Sequence, residues 1–171
     1  MSADSEFEKL VNLYYRELYR FGLSLTGNEA DACDLTQETF YTWATKGHQL
    51  KNPEKVKTWL FTTLHRQFLQ ICRRRGRFAH ESLDETAENL PCLSIDMVNR
   101  IDGQTMINLL GQVDVTYRAP LVLYYLEDLS YQEIAQALEI PLGTVQSRIA
   151  RGKIRLFRLL TEVSGPLGQN K

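Results

Sequence analysis

Apolar residues recur at steps of three and four through the first 25 residues of the chain. Such steps place side chains on one face of a helix with 3.6 residues per turn. The repeating positions are Phe7, Leu10, Val11, Tyr14, Leu18, Phe21 and Leu25. A break containing Gly27 follows them, and glycine is typical of a helix end. We therefore predict a first helix over Glu6 to Leu25.

Two further helices are predicted before residue 77. The second, over residues 28–45, begins at Asn28, whose side chain can accept a backbone N–H of the first turn. The third begins at Asn52 and Pro53, because proline at the first helical position lacks only an N–H that would be unpaired there. Its apolar periodicity continues into three arginines at residues 73–75.

The helical periodicity stops between residues 77 and about 102 and then returns. The intervening stretch is acidic, contains Pro91, and predicts only one short helix, near residues 94–101. Four helices are predicted after it, over Thr105–Val113, Tyr117–Tyr125, Leu129–Leu138 and Leu142 to about Leu160. No alternating strand pattern occurs. The expected fold class is all-α, with two small helical domains (residues 1–77 and 104–171) joined by an acidic flexible linker (78–103).

The distribution of charge matters more than the net charge of −1. Residues 1–79 carry 12 basic and 9 acidic side chains, residues 80–103 carry 1 and 6, and residues 104–171 carry 7 and 6. Two basic ends therefore flank an acidic middle. Because binding to nucleic acid depends on a local basic footprint, this chain remains a candidate DNA-binding protein.

Several other classes of protein are disfavoured. The longest apolar run, Leu121 to Leu126, is far shorter than the roughly 20 residues of a membrane span, so no membrane insertion is expected. The 3 cysteines and 3 histidines are widely spaced, which argues against a disulfide framework or a zinc site and favours the reducing cytoplasm. No catalytic constellation stands out. We therefore expect neither an enzyme nor a cofactor.

Residues 130–141 carry the pattern of a helix followed by a tight turn. Ser130 and Glu133 form an S-x-x-E capping box, and Pro141 disfavours a helical conformation at the residue before it. Glu139 fits less well, because such turns commonly place glycine in a left-handed conformation there. Glu139 therefore indicates either another turn geometry or some backbone strain.

The helix predicted from Leu142 completes a helix-turn-helix. Val145 and Ile149 are four residues apart and would pack inward, while the segment to Leu160 carries five basic and no acidic residues. Arginine can bind guanine edges or phosphates, and glutamine or serine can bind base edges. We predict that this helix enters the major groove of DNA. Its candidate contact residues are Thr144, Gln146, Ser147, Arg148, Arg151 and Lys153.

The sequence resembles the extracytoplasmic-function (ECF) group of the sigma-70 family over about residues 6–160. Ala32-Cys33-Asp34-Leu35-Thr36-Gln37-Glu38-Thr39-Phe40 is similar to the family's region 2.2. Residues 129–135 and 141–151 are similar to region 4.2, and Trp59-Leu60 followed by the arginines at 73–75 resembles regions 2.3–2.4. The resemblance implies an alternative sigma factor that binds core RNA polymerase and directs promoter recognition, melting of the −10 element and transcription initiation.

The resemblance also implies roles for individual residues. The resemblance assigns contacts to the β′ clamp helices of the polymerase to Asp34, Leu35, Gln37, Glu38 and Phe40. The alternative for Leu35 and Phe40 is that they belong to the core. Contacts to the −10 element fall to His48, Gln49, Asn52, Lys57, Trp59, Arg66, Arg73 and Arg74, with Phe61 as a second aromatic candidate. The helix-turn-helix would bind the −35 element, near the β flap, and an anti-sigma factor is a possible further partner.

Two points stay open at the level of sequence. Where the family often has Asn and Asp in regions 2.3–2.4, this chain has Arg66 and Gln70, so the −10 sequence is not defined. The alternative function is a free helix-turn-helix regulator, which would bind two symmetric half-sites as a dimer without polymerase.

Overall fold

A computed structural model describes residues 3–76 and 94–164, and these ranges are helical throughout apart from short turns. The N-terminal unit (residues 3–76) contains three α-helices and two short 3-10 helices. Its elements are α1 (Ala3–Thr26), α2 (Glu29–Lys46), the 3-10 helices Gly47–Gln49 and Pro53–Lys55, and α3 (Val56–Arg74). The C-terminal unit (residues 94–164) comprises α4 (Ile95–Arg100), α5 (Gly103–Gln112), α6 (Val115–Tyr125), α7 (Tyr131–Leu138) and α8 (Leu142–Ser164).

The expected all-α class is confirmed, since the described ranges contain no strand. Each predicted helix is present, with ends that differ by a few residues. The first part of the expected acidic linker, residues 78–93, lies outside the described residues, and its last part contains α4 and the first residue of α5. No helix among the described residues is long and apolar enough to span a membrane, and no cluster of metal-ligating side chains occurs among them.

Side-chain caps define where several helices begin. Asn28 Oδ1 accepts the backbone N–H of Asp31 at 3.1 Å, as its sequence position predicts. The capping box is also formed, with Glu133 N donating to Ser130 Oγ at 3.2 Å and Ser130 N donating to Glu133 Oε2 at 2.7 Å. These caps set the start of α2 and of α7, the two helices that carry or precede the candidate contact surfaces.

Apolar side chains from both units form one connected core. In the N-terminal unit, the rings of Phe21 and Phe61 meet edge to face with centroids 5.4 Å apart. In the C-terminal unit, α8 approaches α6 so closely that a Cβ at Gly152 would lie 2.6 Å from Cδ1 of Leu121. The units also contact each other, α1 against α6 and α3 against α7. The periodicity of the sequence predicts the helices but not this packing between units.

Candidate nucleic-acid interface

The outward face of α2 carries three of the residues expected to contact polymerase. Asp34, Gln37 and Glu38 are exposed, and they lie within a little more than one helical turn. Leu35 and Phe40, in contrast, are only 2% and 6% exposed. Both residues therefore pack in the core, because they lie on the apolar face of α2. Their expected contact with polymerase stays a prediction, which their burial does not favour.

An exposed aromatic beside this face was missed at the sequence level. Tyr41 is 66% exposed and follows Gln37 by four residues, so both side chains lie on the same side of α2. Tyr15 of α1 is 40% exposed and stacks on Phe40, with ring centroids 6.3 Å apart. The signal that could have found Tyr41 is its helical spacing from Gln37.

The turn between α2 and α3 presents His48 and Gln49 to solvent. Gly47 shapes this turn, because a Cβ there would lie 2.5 Å from the indole ring of Trp43. Asn52 Oδ1 accepts the backbone N–H of Glu54 at 3.0 Å, so its side chain also serves as a cap. His48 and Gln49 are thus both accessible to a ligand.

The two aromatic candidates for stacking differ in their environment. Trp59 is half-buried and meets Trp43 edge to face, with ring centroids 5.1 Å apart. Phe61 is fully buried. The expectation that Phe61 stacks on opened DNA is therefore wrong, because it points into the core from the opposite side of α3.

A groove of about 860 Å³ runs between α2, α3 and this turn. Its α2 wall carries two acidic side chains and the basic side chain of Lys46, and its α3 wall carries two arginines. Its lining residues are Asp34, Leu35, Glu38, Thr42, Lys46, Gln49, Leu50, Trp59, Thr63, Arg66, Gln67, Gln70, Ile71 and Arg74. The groove thus brings three of the five expected polymerase contacts and four of the expected −10 contacts to one face of the unit.

Some of the basic residues of α3 are exposed without a described partner in the C-terminal unit, and others form ion pairs or hydrogen bonds with that unit. Arg73 and Arg74 are exposed. Lys57 lies 3.5 Å from Glu17 Oε2 and donates to the backbone carbonyl of Glu127 at 2.9 Å. Arg66 forms an ion pair with Glu139 of the C-terminal unit. Two of the expected −10 contacts are therefore held by the other half of the chain.

The turn of the helix-turn-helix has the strained conformation that its sequence suggested. Glu139 adopts φ 55° and ψ 44°, the left-handed region that favours glycine. The backbone N–H of Ile140 donates to the carbonyl of Ala135 at 3.1 Å, which closes a Schellman-type turn. Val145 and Ile149 are 0% and 1% exposed, as predicted, so α8 is anchored by its inner face.

The expected −35 contacts on α8 differ in their exposure to solvent and in their neighbours. Gln146 and Ser147 are exposed. Thr144 and Arg151 are half-buried, and Lys153 lies over the ring of Tyr124 at 5.3 Å from its centroid. Arg148 is half-buried, and its charge lowers the pKa of His65 on α3.

The pKa of His65 is lowered from 6.5 to about 4. Burial is the largest cause, because it disfavours the charged imidazolium; the charge of Arg148 acts in the same direction and that of Glu139 opposes it. The folded protein therefore binds a proton at His65 less readily than the unfolded chain. The resulting contribution to stability is complete above pH 6.5 and is lost as the pH falls toward 4.

We therefore expect acidification from pH 7.5 to 5.5 to lower the free energy of unfolding by about 1.3 kcal/mol through His65. Urea unfolding at the two pH values measures this, with His65→Gln as the comparison that lacks the titrating ring. Glu127 acts with the opposite sign, because burial raises the pKa of its carboxyl from 4.5. An identical pH dependence in the wild type and His65→Gln would contradict the expectation.

Comparisons with known proteins agree with this geometry. Residues 10–78 match the family described as Sigma-70 region 2, and residues 104–156 match Sigma-70, region 4. The ECF RNA polymerase sigma factor SigE of Mycolicibacterium smegmatis is 34% identical over 174 residues, covering 99% of this chain and 67% of that protein. SigM of Bacillus subtilis is 28% identical over 158 residues, covering 89% of this chain and 93% of that protein.

Two solved structures are similar as well. The sigma factor RpoE from Bartonella quintana, in complex with the anti-sigma factor NepR, superposes with a TM-score of 0.70 at 27% identity, covering 91% of this chain and 97% of that one. CnrH, in complex with the cytosolic domain of CnrY, superposes with a TM-score of 0.66 at 21% identity, which supports the fold alone.

The chain therefore belongs to the sigma-70 family of RNA polymerase sigma factors. Within that family it is an ECF sigma factor, an alternative sigma factor that directs promoter recognition with RNA polymerase. Members of the family are regulatory proteins that recognise DNA.

Proposed function

We propose that the N-terminal unit binds core polymerase and the −10 element, and that the C-terminal unit binds the −35 element. The exposed face of α2, with Asp34, Gln37 and Glu38, is the observation that carries the first part, because it is polar and accessible to solvent. The β′ clamp helices are its proposed partner on the polymerase. Tyr41 adds apolar area to the same surface.

The groove beside α2 is suited to a base taken out of the DNA duplex. Gln49 in its wall and His48 on the adjoining turn offer hydrogen-bonding groups for a base edge, and the half-buried indole of Trp59 offers a flat apolar surface. Arg73 and Arg74, at the end of α3, would contact phosphates, which positions a strand without specifying its sequence. Melting of the −10 element would leave such bases exposed for capture.

The C-terminal unit would read duplex DNA through α8. Gln146 and Ser147 are exposed at the start of this helix, where recognition helices contact base edges. Arg151 follows Ser147 by four residues and lies on the same outward face. In the complex with polymerase, this unit would lie near the β flap. Tethering two modest DNA contacts to one polymerase raises their effective concentration, so neither needs high affinity alone.

The remaining assignments follow from this function. The protein would act in the cytoplasm, as a binding protein without a cofactor and not as an enzyme. An anti-sigma factor is a proposed further partner, since the similar RpoE from Bartonella quintana was solved with NepR bound.

In vitro transcription with purified core polymerase tests this proposal. We expect discrete transcripts from a subset of genomic fragments only when the protein is added, and weak binding of the free protein to the same duplexes. A free dimeric regulator would instead bind a symmetric duplex site tightly without polymerase and would support no initiation by the core enzyme.

A further inference from the structure

The amide of one α3 side chain bridges two hydroxyl groups of α2 at the groove. Gln67 Nε2 donates to Thr42 Oγ1 at 3.1 Å, and Gln67 Oε1 accepts from Thr39 Oγ1 at 3.1 Å. Gln67 and Thr42 line the groove, whereas Thr39 is 0% exposed. Gln67 lies near the middle of the α3 wall, which runs from Trp59 to Arg74. We call these two hydrogen bonds the Gln67 bridge.

The hydrogen bonds that the threonines make within α2 define how the Gln67 amide is oriented. Thr42 Oγ1 donates its one hydrogen to the backbone carbonyl of Glu38 at 2.8 Å, so it accepts from Gln67. The amide nitrogen therefore faces Thr42, and the amide oxygen faces Thr39. Thr39 shares its hydrogen between Gln67 and the carbonyl of Leu35, which is 2.7 Å away. The bridge thus ends on the part of α2 that carries the proposed polymerase contacts.

The Gln67 bridge is expected to contribute little to the free energy of unfolding. Each threonine hydroxyl also donates to a carbonyl of α2, so neither loses its last acceptor when Gln67 is replaced. Ordering a glutamine side chain costs more conformational entropy than ordering leucine or isoleucine, and an uncharged hydrogen bond gives little net stability in return. Hydrogen bonds do supply direction, because they fix the distance and the rotation of one helix relative to another. The bridge is therefore better suited to geometry than to stability.

The groups nearest to the bridge on α3 are those that would surround an unstacked base. Trp59 and Thr63 precede Gln67 by about two turns and one turn on the groove side of α3, and Arg74 follows it by about two turns. Gln49 lines the same groove from the turn between α2 and α3. A base held among these groups would contact more than one wall. Its fit therefore depends on the distance between the walls.

We propose that Gln67 is a positioning residue for base capture, because its bridge to α2 sets the width of the groove that receives the base. The inference rests on the proposed function of this groove in binding the −10 element. Gln67 acts through Thr39 and Thr42 and need not touch the base itself. A displacement of about 0.5 Å in the groups that hold a ligand is enough to weaken binding. Loss of the bridge should therefore impair base capture and leave the fold and polymerase binding intact.

Three variants test the bridge, and a fourth is the matched control. Gln67→Met keeps the length of the side chain and removes both hydrogen bonds. Thr42→Val removes one of them from the α2 side, whereas Thr42→Ser keeps the hydroxyl and should behave as the wild type. Thr45→Val is the control, because Thr45 is an exposed threonine whose hydroxyl bonds to carbonyls of α2 itself. All four should unfold within about 3 °C of the wild type and co-elute with core polymerase.

An abasic scan of the −10 strand gives a readout that a purely structural role would not change. The probe is a fluorescent single-stranded oligonucleotide that carries the −10 non-template strand of the strongest promoter found by in vitro transcription. Each base in turn is replaced by an abasic site, and binding of the reconstituted holoenzyme is measured by anisotropy. For the wild type we expect one position at which the abasic site lowers affinity at least about tenfold, because base stacking is lost there.

The bridge variants should lose this discrimination at that one position. For Gln67→Met and Thr42→Val, the same abasic site should lower affinity by less than about threefold, because the intact base is already held poorly. Affinity for the intact oligonucleotide should fall correspondingly, by about three- to tenfold. Thr42→Ser and Thr45→Val should keep the wild-type discrimination.

The possible outcomes distinguish this inference from the proposed function. Undiminished discrimination in Gln67→Met, an equal loss at every position scanned, or a loss in Thr45→Val as large as that in Thr42→Val would each overturn the positioning role. Unfolding of Gln67→Met and Thr42→Val far below the wild type would also overturn it, since the bridge would then be a stabilising contact. A wild-type holoenzyme that is insensitive to every abasic site would instead overturn the proposed function of the groove, and this inference with it.

Discussion

Transcription from a promoter that needs its −35 element is expected to fall about a hundredfold when Ser147 and Arg151 are both replaced by alanine. The two side chains lie one turn apart on the outward face of α8, while Val145 and Ile149 anchor the opposite face. Each base-edge contact contributes about 1–3 kcal/mol of discrimination, and a hundredfold change corresponds to about 2.7 kcal/mol. The loss should therefore come from recognition and leave the fold intact.

The measurement is run-off transcription with saturating sigma factor, together with helix content and thermal unfolding of each variant. Arg158→Ala is the matched control, because Arg158 is exposed on the same side of α8 about 10 Å further along the helix. It should lower transcription by less than about threefold, the effect of one lost phosphate contact. Equal losses for both variants would mean that α8 contributes charge but does not read sequence.

Replacing Phe61 with alanine is expected to cost about 3–5 kcal/mol of unfolding free energy. Phe61 is fully buried, and its ring contacts that of Phe21 edge to face. The total free energy of unfolding of a small domain is only about 5–15 kcal/mol, so this single change should leave the N-terminal unit largely unstable. Urea unfolding followed by circular dichroism measures the loss.

Two further variants make the Phe61 result specific. Leu13→Ala, at a side chain 65% exposed on α1, should change stability by less than about 0.5 kcal/mol. Phe61→Leu keeps an apolar side chain and should retain both the fold and promoter melting. A well-folded Phe61→Leu that fails only in promoter melting would show that Phe61 touches DNA after all, contrary to its position in the core.

The sequence predicted the helices well because their signals are local. Apolar residues at three- and four-residue steps, Asn28 at one helix start and the Ser130–Glu133 capping box at another are each set by residues within one or two turns. The packing between units has no such signal. Arg20 and Glu127, for example, are 107 residues apart, and nothing in the periodicity around either one identifies the other.

The apolar periodicity of each helix separates its buried face from its exposed face, and the candidate site residues could be predicted only to that extent. Gln37 and Glu38 fall outside the apolar stripe of α2, whereas Phe40 lies at its edge, where an apolar residue suits either a core or an interface. Tyr41 lies just beyond the family motif, which ends at Phe40, so the resemblance does not identify it. Lys57 and Arg66 are basic in the sequence, which is why they are predicted to contact DNA, but their partners in the other unit depend on tertiary structure.

Glu139 shows how a local misfit can mark a tertiary contact. Its position in the turn favours glycine, and the structure keeps glutamate there in a left-handed conformation, with the carboxylate paired to Arg66. The sequence could indicate the backbone strain at Glu139, but it could not identify Arg66 as the partner of its carboxylate. Residues that break a local rule are therefore the places where long-range contacts should be sought first.

Co-elution with core RNA polymerase on gel filtration tests the central claim most directly. At micromolar concentration and without an anti-sigma factor, the wild type should elute with the polymerase. A Gln37→Ala/Glu38→Ala variant, altered only at exposed side chains of α2, should bind at least about tenfold more weakly, since polar contacts at a buried interface contribute about 1–3 kcal/mol each. If the wild type fails to co-elute, or if the double variant binds as tightly as the wild type, α2 is not the polymerase-binding surface proposed for this sigma factor.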